Sequence, residues 1–479
     1  MFWRGVLGYL PVNIVQGVVG LLTIVLFTRV LDPAQYGAYA LAFSVGSLIH
    51  TCLLNWIEAA MARFLATREG DGRLADHFTT LYRLWLGAAV LIPAACVIAL
   101  LLPLNQPLKI AIAAALASTL VNSLMKMAQE RRRSAGEVSG AALLGMAQTA
   151  GGFAVGLALA FAGLGGAAPV LGVGVISAIC VAVVLPGELK RMAGGKFDKS
   201  LARTYAAYGL PLSLSLILAL VLASTDRLLL GAFLDEATVG VYHAGYSLGS
   251  RTLDVVFIWL GMAGMPALIS ALERGGQTAL SEAARELASF MILLTLPAAV
   301  GLALVARPLA DLMVGEALRD GASHVTPWIA ASGWLSGVTA YYLVEGFLLA
   351  RRTSLLLVSM TIPAVVNAIL NLVLIPRMGL DGALWATTIS YGLGAVVAWG
   401  LSRRTCPLPI PWGVLAKAGA ACTAMAACVS LVPAFGGIVE LTLKAGVGAA
   451  VYGVIVLGLD VGGLRAKLSV LIRRRAPAL

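Results

Sequence analysis

Charge is scarce in this chain. Only 12% of its 479 residues are Asp, Glu, Lys or Arg, whereas a soluble domain carries about 25%. A water-exposed fold of this length is therefore not expected. Histidine occurs four times and cysteine six times. Cys52, Cys96, Cys180, Cys406, Cys422 and Cys428 show no C-x-x-C spacing and lie mostly inside apolar stretches. They read as small packing residues rather than metal ligands, redox pairs or a disulfide framework. The chain has no G-x-x-x-x-G-K-[ST] segment, which excludes a P-loop for ATP hydrolysis, and nothing in it calls for a cofactor. Long polar loops are missing too. The longest stretch on the less basic side, about 306–324, is too short for an outer catalytic domain and holds a lone His324.

What is present is apolar surface. The chain is 60% hydrophobic with 53 glycines, arranged in runs of about 20 residues, the length that crosses a bilayer as a helix. Barrel strands alternate instead over about 10 residues. The expected fold is an all-α membrane protein with about fourteen spans, from 9–30, 37–61 and 79–102 to 239–265, 287–306, 413–432 and 438–459. The first run has no small-x-small cleavage site and reads as a retained helix, not a cleaved signal. The net charge of +11 does not point to nucleic acid, because the cations sit between spans. One set of connections is short and neutral or acidic: LDPAQYG, AGLGGAA, FLDEATVG, PRMGLDG. The other is basic, with Arg63, Arg68, Arg73 and Arg83, then Lys126, Arg131, Arg132 and Arg133, then Lys190 to Arg203. Arg274, Arg285, Arg351, Arg352, Arg403, Arg404 and Lys417 continue it. The positive-inside rule puts this side, Arg4 and both termini in the cytoplasm. The tail cations Arg465, Lys467, Arg473, Arg474 and Arg475 suit either a stop-transfer anchor or contact with anionic headgroups.

One segment occurs twice. Residues 31–44 read LDPAQYGAYALAFS and residues 234–247 read LDEATVGVYHAGYS, sharing L-D-x-A-x-x-G-x-Y. Two further pairs follow in the same order: Arg132-Arg133-Ser134 with Arg351-Arg352-Thr353, and Gly163-Leu164-Gly165-Gly166-Ala167 with Gly379-Leu380-Asp381-Gly382-Ala383. Six helices per repeat is an even number, so the halves are parallel and related by an axis along the membrane normal. The expected lobes are 1–205 and 206–405, with two further helices and a basic tail in 406–479. Asp32 and Asp235 suit helix N-caps, and Gly37 and Gly240 suit close helix approach.

With these residues in view, the chain resembles the Wzx-type polysaccharide flippases of the multidrug/oligosaccharidyl-lipid/polysaccharide superfamily. The resemblance is carried by Thr28-Arg29-Val30-Leu31-Asp32-Pro33-Ala34-Gln35-Tyr36-Gly37-Ala38-Tyr39, by Asp226-Arg227-Leu228-Leu229-Leu230-Gly231, and by Ile375-Pro376-Arg377-Met378-Gly379-Leu380-Asp381-Gly382-Ala383. It implies two six-helix lobes around a central cavity plus two C-terminal helices. It also implies ion-driven flipping of undecaprenyl-pyrophosphate-linked glycans to the outer leaflet of the bacterial inner membrane. The implied partners are the lipid-linked oligosaccharide, membrane lipids and polysaccharide polymerase and co-polymerase proteins, with the chain itself a monomer. Lipid II flippases and drug exporters of the same superfamily are the alternatives.

Such a substrate needs inward-facing cations, and intramembrane charge is costly enough to be functional by default. Arg251 lies mid-helix with Asp254 one turn on, and Asp226 and Arg227 lie in the preceding helix. Either these four contact the substrate, or Arg251 and Asp254 neutralise each other as an (i, i+3) pair. Lys126 corresponds to Glu345 in the repeat register, either as a gate or as two snorkelling side chains. His50, Glu58 and Asp254 are the titratable candidates for ion coupling. Asn13, Gln16, Asn55, Asn122, Gln148, Asn367 and Asn371 supply polar faces that either line a glycan path or join helices. A twelve-helix facilitator fits poorly, because RFLATREGDGRLADHF lacks its usual G-x-x-x-D-[RK]-x-G-[RK] turn. A membrane glycan polymerase or ligase fits poorly for want of an outer catalytic loop.

Overall fold

A bilayer offers no water to unpaired backbone groups, so a chain this apolar must satisfy them within helices. The computed structural model describes residues 2–352 and 354–465, with side chains from residue 11 onward. The side chain of Arg4, Thr353 and the tail cations Lys467, Arg473, Arg474 and Arg475 lie outside the described residues. Among those described there is no strand. Twelve helices are long and apolar enough to cross a membrane. One of them, Glu236–Leu304, is two helices merged across Gly276, whose φ of 64° breaks the helical path. A further helix, Glu316–Val338, runs through a π turn at Thr339–Leu343 into Glu345–Leu349. Fourteen spans result among the described residues.

Spans 1 to 7 are Pro11–Val30, Pro33–Leu53 continuing as Asn55–Gly70, Leu74–Leu101, Gln106–Ser134, Val138–Phe161, Gly165–Met192 and Lys199–Phe233. Spans 8 and 9 lie before and after Gly276, and span 10 is the π-interrupted helix. Spans 11 to 14 are Ser354–Met378, Leu380–Arg403, Trp412–Ser430 and Gly437–Gly458. The chain divides into two compact units, Met1–His243 and Ala244–Leu479. The first holds spans 1 to 7 with the opening turns of span 8. The second holds the remainder.

Two connections differ from the sequence reading. The stretch 266–286, expected as a basic loop between spans 8 and 9, is helical throughout apart from Gly276. Its charges solvate a helix without needing a loop. The stretch 306–324 folds as the short helix Ala306–Met313 and the first turns of span 10. There Arg307 pairs with Asp311 and Asp320.

The repeated segment is structural in detail. Asp32 caps span 2 by accepting from the Gln35 amide at 2.8 Å, while Gln35 Oε1 accepts from the Asp32 amide at 3.3 Å, which is a capping box. Asp235 caps span 8 through the Thr238 amide at 2.7 Å. The glycines five residues past these capping aspartates cross each other. A Cβ on Gly37 would lie 1.7 Å from the Glu236 carbonyl oxygen, and one on Gly240 would lie 2.2 Å from that of Pro33. The two copies therefore pack backbone to backbone, as small residues permit. In the second repeated motif, Gly163 and Gly379 turn the chain between spans with φ of 88° and 61°.

Overpacking a helix contact costs about 1–3 kcal/mol, and more where backbone is struck. Gly37→Val and Gly240→Val are expected to lower the detergent melting temperature by several degrees. Gly413→Ala, with nothing within 4 Å of its added Cβ, is expected to leave it unchanged.

Candidate functional site

Within the first unit, spans 2, 4, 5 and 6 enclose a polar cavity of about 450 Å³. Span 4 supplies Thr119, Asn122 and Lys126, spaced i, i+3 and i+7 so that they share one helical face. Span 2 supplies His50 and Asn55, on either side of its break at Leu54. Span 5 supplies Gln148 from a π turn, Ala147–Gly151. Such a bulge reorients a side chain without ending its helix. The Gln148 amide donates to Ser177 Oγ at 2.8 Å and to Asn122 Oδ1 at 3.5 Å. Asn55 donates to Ser213 Oγ at 3.2 Å. These amides are held by neighbours, yet they border open space.

Two sequence candidates for ion coupling come together here. His50 Nε2 and Glu58 Oε1 are 2.8 Å apart. Residues eight apart on a straight helix are separated by about 12 Å along its axis, so both side chains reach across the Leu54 break to meet. Glu58 is buried and its partner borders the cavity. Lys126 is half-buried and has no ion pair among the described residues. Glu130, one turn along, is paired instead with Arg133.

The remaining candidates separate. Arg251 and Asp254 are exposed on span 8, whose Leu253 and Phe257 are buried. The (i, i+3) salt bridge weighed for them does not form among the described residues. Asp226 and Arg227 are buried in the first unit and do not line its cavity, and Asp226 accepts from the Tyr242 hydroxyl at 2.6 Å. Glu345 is buried just after the π turn of span 10, and its Oε2 has no hydrogen-bond partner among the described residues. Lys126 and Glu345 belong to different units. Asn367 and Asn371 are fully buried and bond to each other at 3.0 Å within span 11, so neither borders open space.

One charged network was missed in the sequence. Arg131, read there as a loop cation, lies on span 4 with its side chain 4% exposed. Its Nε donates to Glu188 Oε1 at 2.9 Å, and the Glu188 side chain is 2% exposed. The Tyr82 hydroxyl donates to the other Glu188 oxygen at 3.2 Å, and Arg131 Nη1 donates to Glu137 at 2.8 Å. That bond holds the Glu137 carboxyl below the usual carboxylate range. The only sequence signal for this pair is Glu188 itself, an acid inside an apolar run. The neighbouring basic turns are also neutralised locally, Arg68 by Asp71 and Arg73 by Asp198. Hydrogen bonds from the Leu201 amide, then from Arg73, hold Asp198 low as well.

Removing one partner of a buried ion pair costs about 3–5 kcal/mol, whereas replacing both with apolar groups is often neutral. Glu188→Gln and Arg131→Gln should each lower thermal stability, and Arg131→Met with Glu188→Met together should recover most of the loss. Melting curves of the three purified variants measure this.

The comparisons with known proteins agree with the fold. No curated relative matches the sequence. Over its length the fold matches a structure titled lipid II flippase MurJ, inward closed conformation, with a TM-score of 0.74 at 14% identity, covering 94% of this chain and 98% of that one. It also matches an inward-facing multidrug resistance MATE family transporter of the MOP superfamily, with a TM-score of 0.60 at 16% identity, covering 82% and 93%. Residues 26–321 match the family described as polysaccharide biosynthesis protein. The chain is a multi-pass helical membrane protein and belongs to that polysaccharide biosynthesis family.

Proposed function

We propose that this protein is a flippase that carries a lipid-linked oligosaccharide, bearing a pyrophosphate headgroup, from the inner to the outer leaflet of the bacterial inner membrane. In this reading it is a transporter, not an enzyme, and both termini are cytoplasmic. The observation that carries the reading is a polar cavity with one unpaired cation, built into a member of a polysaccharide biosynthesis family. The match to a structure titled a lipid II flippase supports a lipid-linked cargo.

The chemistry divides among named residues. Lys126 offers a mobile point charge to a phosphate, while Asn55, Asn122 and Gln148 offer amides to glycan hydroxyls. Arg251, exposed on span 8 of the second unit with no ion pair among the described residues, is a separate candidate for phosphate contact, where its planar fork suits two phosphate oxygens. The His50–Glu58 pair is the coupling element. A proton or cation taken up by Glu58 frees His50, and the two sides of the Leu54 break can then move apart. The bent helix is the two-state element that such coupling requires.

A hydrogen bond to a charged group is worth about 1.5–3 kcal/mol, which is tenfold or more in affinity. Lys126→Gln and Arg251→Gln are each expected to cut surface polysaccharide about tenfold at normal protein levels, with Lys126→Arg retaining most of it. Deleting the gene should make lipid-linked oligosaccharide accumulate on the cytoplasmic leaflet and remove the surface polymer. An intact polymer without accumulation, in a strain with no second flippase, would overturn the proposal.

A further inference from the structure

The second unit holds a cleft to which the proposed function assigns no role. Spans 9, 10, 12 and 13 leave a slot of about 290 Å³ whose lining includes Ala288, Trp334, Val338, Ala395, Val396 and Leu415 and exposes no polar surface. At its mouth lies a second, partly polar pocket of about 380 Å³. The two share Trp399, Ile410 and Trp412, and the second adds Arg403.

The mouth is organised. Arg403 is in the last turn of span 12 and places its guanidinium carbon 5.1 Å from the centre of the Trp399 ring. Trp412 meets Trp399 edge to face at 6.4 Å. Stacking on an aromatic face holds a guanidinium in place and leaves its N–H groups pointing outward. Arg403 and its neighbour Arg404 are exposed and form no ion pair among the described residues. The segment 407–411 walls the opening and is tied down by the Tyr342 hydroxyl, which donates to the Pro409 carbonyl at 2.6 Å. Tryptophan beside arginine at the end of a span is the arrangement that sits at headgroup level.

We propose that this cleft binds an anionic phospholipid, with one acyl chain in the apolar slot and its phosphate on Arg403 and Arg404. The slot fits a single alkyl chain, whereas a partner helix about 10 Å across would not enter it. Arg403 at the mouth, with exposed Arg404 next to it in the chain, complements a net negative headgroup and gives a zwitterionic one no equal match. Bound there, the lipid bridges spans 12 and 13 and fastens the last two helices to the rest of their unit.

The test is native mass spectrometry of the full chain in detergent, with phosphatidylglycerol or phosphatidylcholine of the same acyl chains. The wild type should retain phosphatidylglycerol about tenfold more than phosphatidylcholine, as a charged hydrogen bond implies. Arg403→Gln with Arg404→Gln should remove that preference. Ala395→Phe, which fills the slot and leaves the charges alone, should remove retention of both lipids. Arg351→Gln with Arg352→Gln, which deletes the same charge elsewhere, should change nothing. Equal retention of the two lipids by the wild type would overturn the proposal, as would an unchanged preference in the Arg403/Arg404 variant. So would an equal loss in the Arg351/Arg352 variant. Displacement of phosphatidylglycerol by equimolar decaprenyl phosphate would assign the cleft to a polyprenyl carrier and overturn it as well.

Discussion

An ionised side chain inside an apolar helix bundle must be paired, or must face water, because its desolvation costs several kcal/mol. That constraint sorts the interior charges of the first unit into two groups. Arg131 is paired twice, with Glu188 and Glu137, and is closed off from solvent. It therefore holds spans 3, 4 and 6 together. Lys126 lies five residues earlier on the same helix, has no ion pair among the described residues, and borders a cavity. One helix thus carries a structural cation and an available one, and only the available one can answer to a ligand.

The cavity exists because its walls are held apart by bends and brought together by glycine. Span 2 breaks at Leu54 and span 5 bulges at Ala147–Gly151, so neither follows the straight path that would close the space. Around it, Gly156 and Gly172 let spans 5 and 6 touch through backbone, a Cβ on Gly172 falling 2.2 Å from the Gly156 nitrogen. Gly37 and Gly240 do the same for the openings of spans 2 and 8. Close backbone contact at these points gives a rigid frame without bulky side chains, and the irregular turns re-aim His50, Asn55 and Gln148 within it. Close backbone packing and a cavity bordered by polar side chains thus lie in one set of helices.

Much of this was legible in the sequence, for physical reasons. Apolar run length set the spans, and the doubled L-D-x-A-x-x-G-x-Y marked two capped helix starts whose glycines meet. What escaped depends on direction and distance, which one-dimensional patterning does not carry. Arg131 sits among loop-like neighbours Arg132 and Arg133, and only its helical phase turns it inward to Glu188. His50 and Glu58 are eight residues apart, about 12 Å along a straight helix, and they meet only across the break at Leu54. The helix through 266–286 escaped because charge density there reads as loop, although amphipathic helix tolerates it. Asn122 and Gln148 border the cavity while Asn367 and Asn371 are buried together, a division that composition could not make.

The central claim is that the cavity moves a lipid-linked glycan across the bilayer. Its most direct test is flipping by the purified protein in liposomes that contain the lipid-linked oligosaccharide. A membrane-impermeant glycan-modifying reagent would read how much substrate reaches the outer face over time under an imposed ion gradient. The account predicts that wild-type protein speeds this transfer well above protein-free liposomes and that the Lys126→Gln variant does not. Transfer by the wild type no faster than in empty liposomes would contradict it.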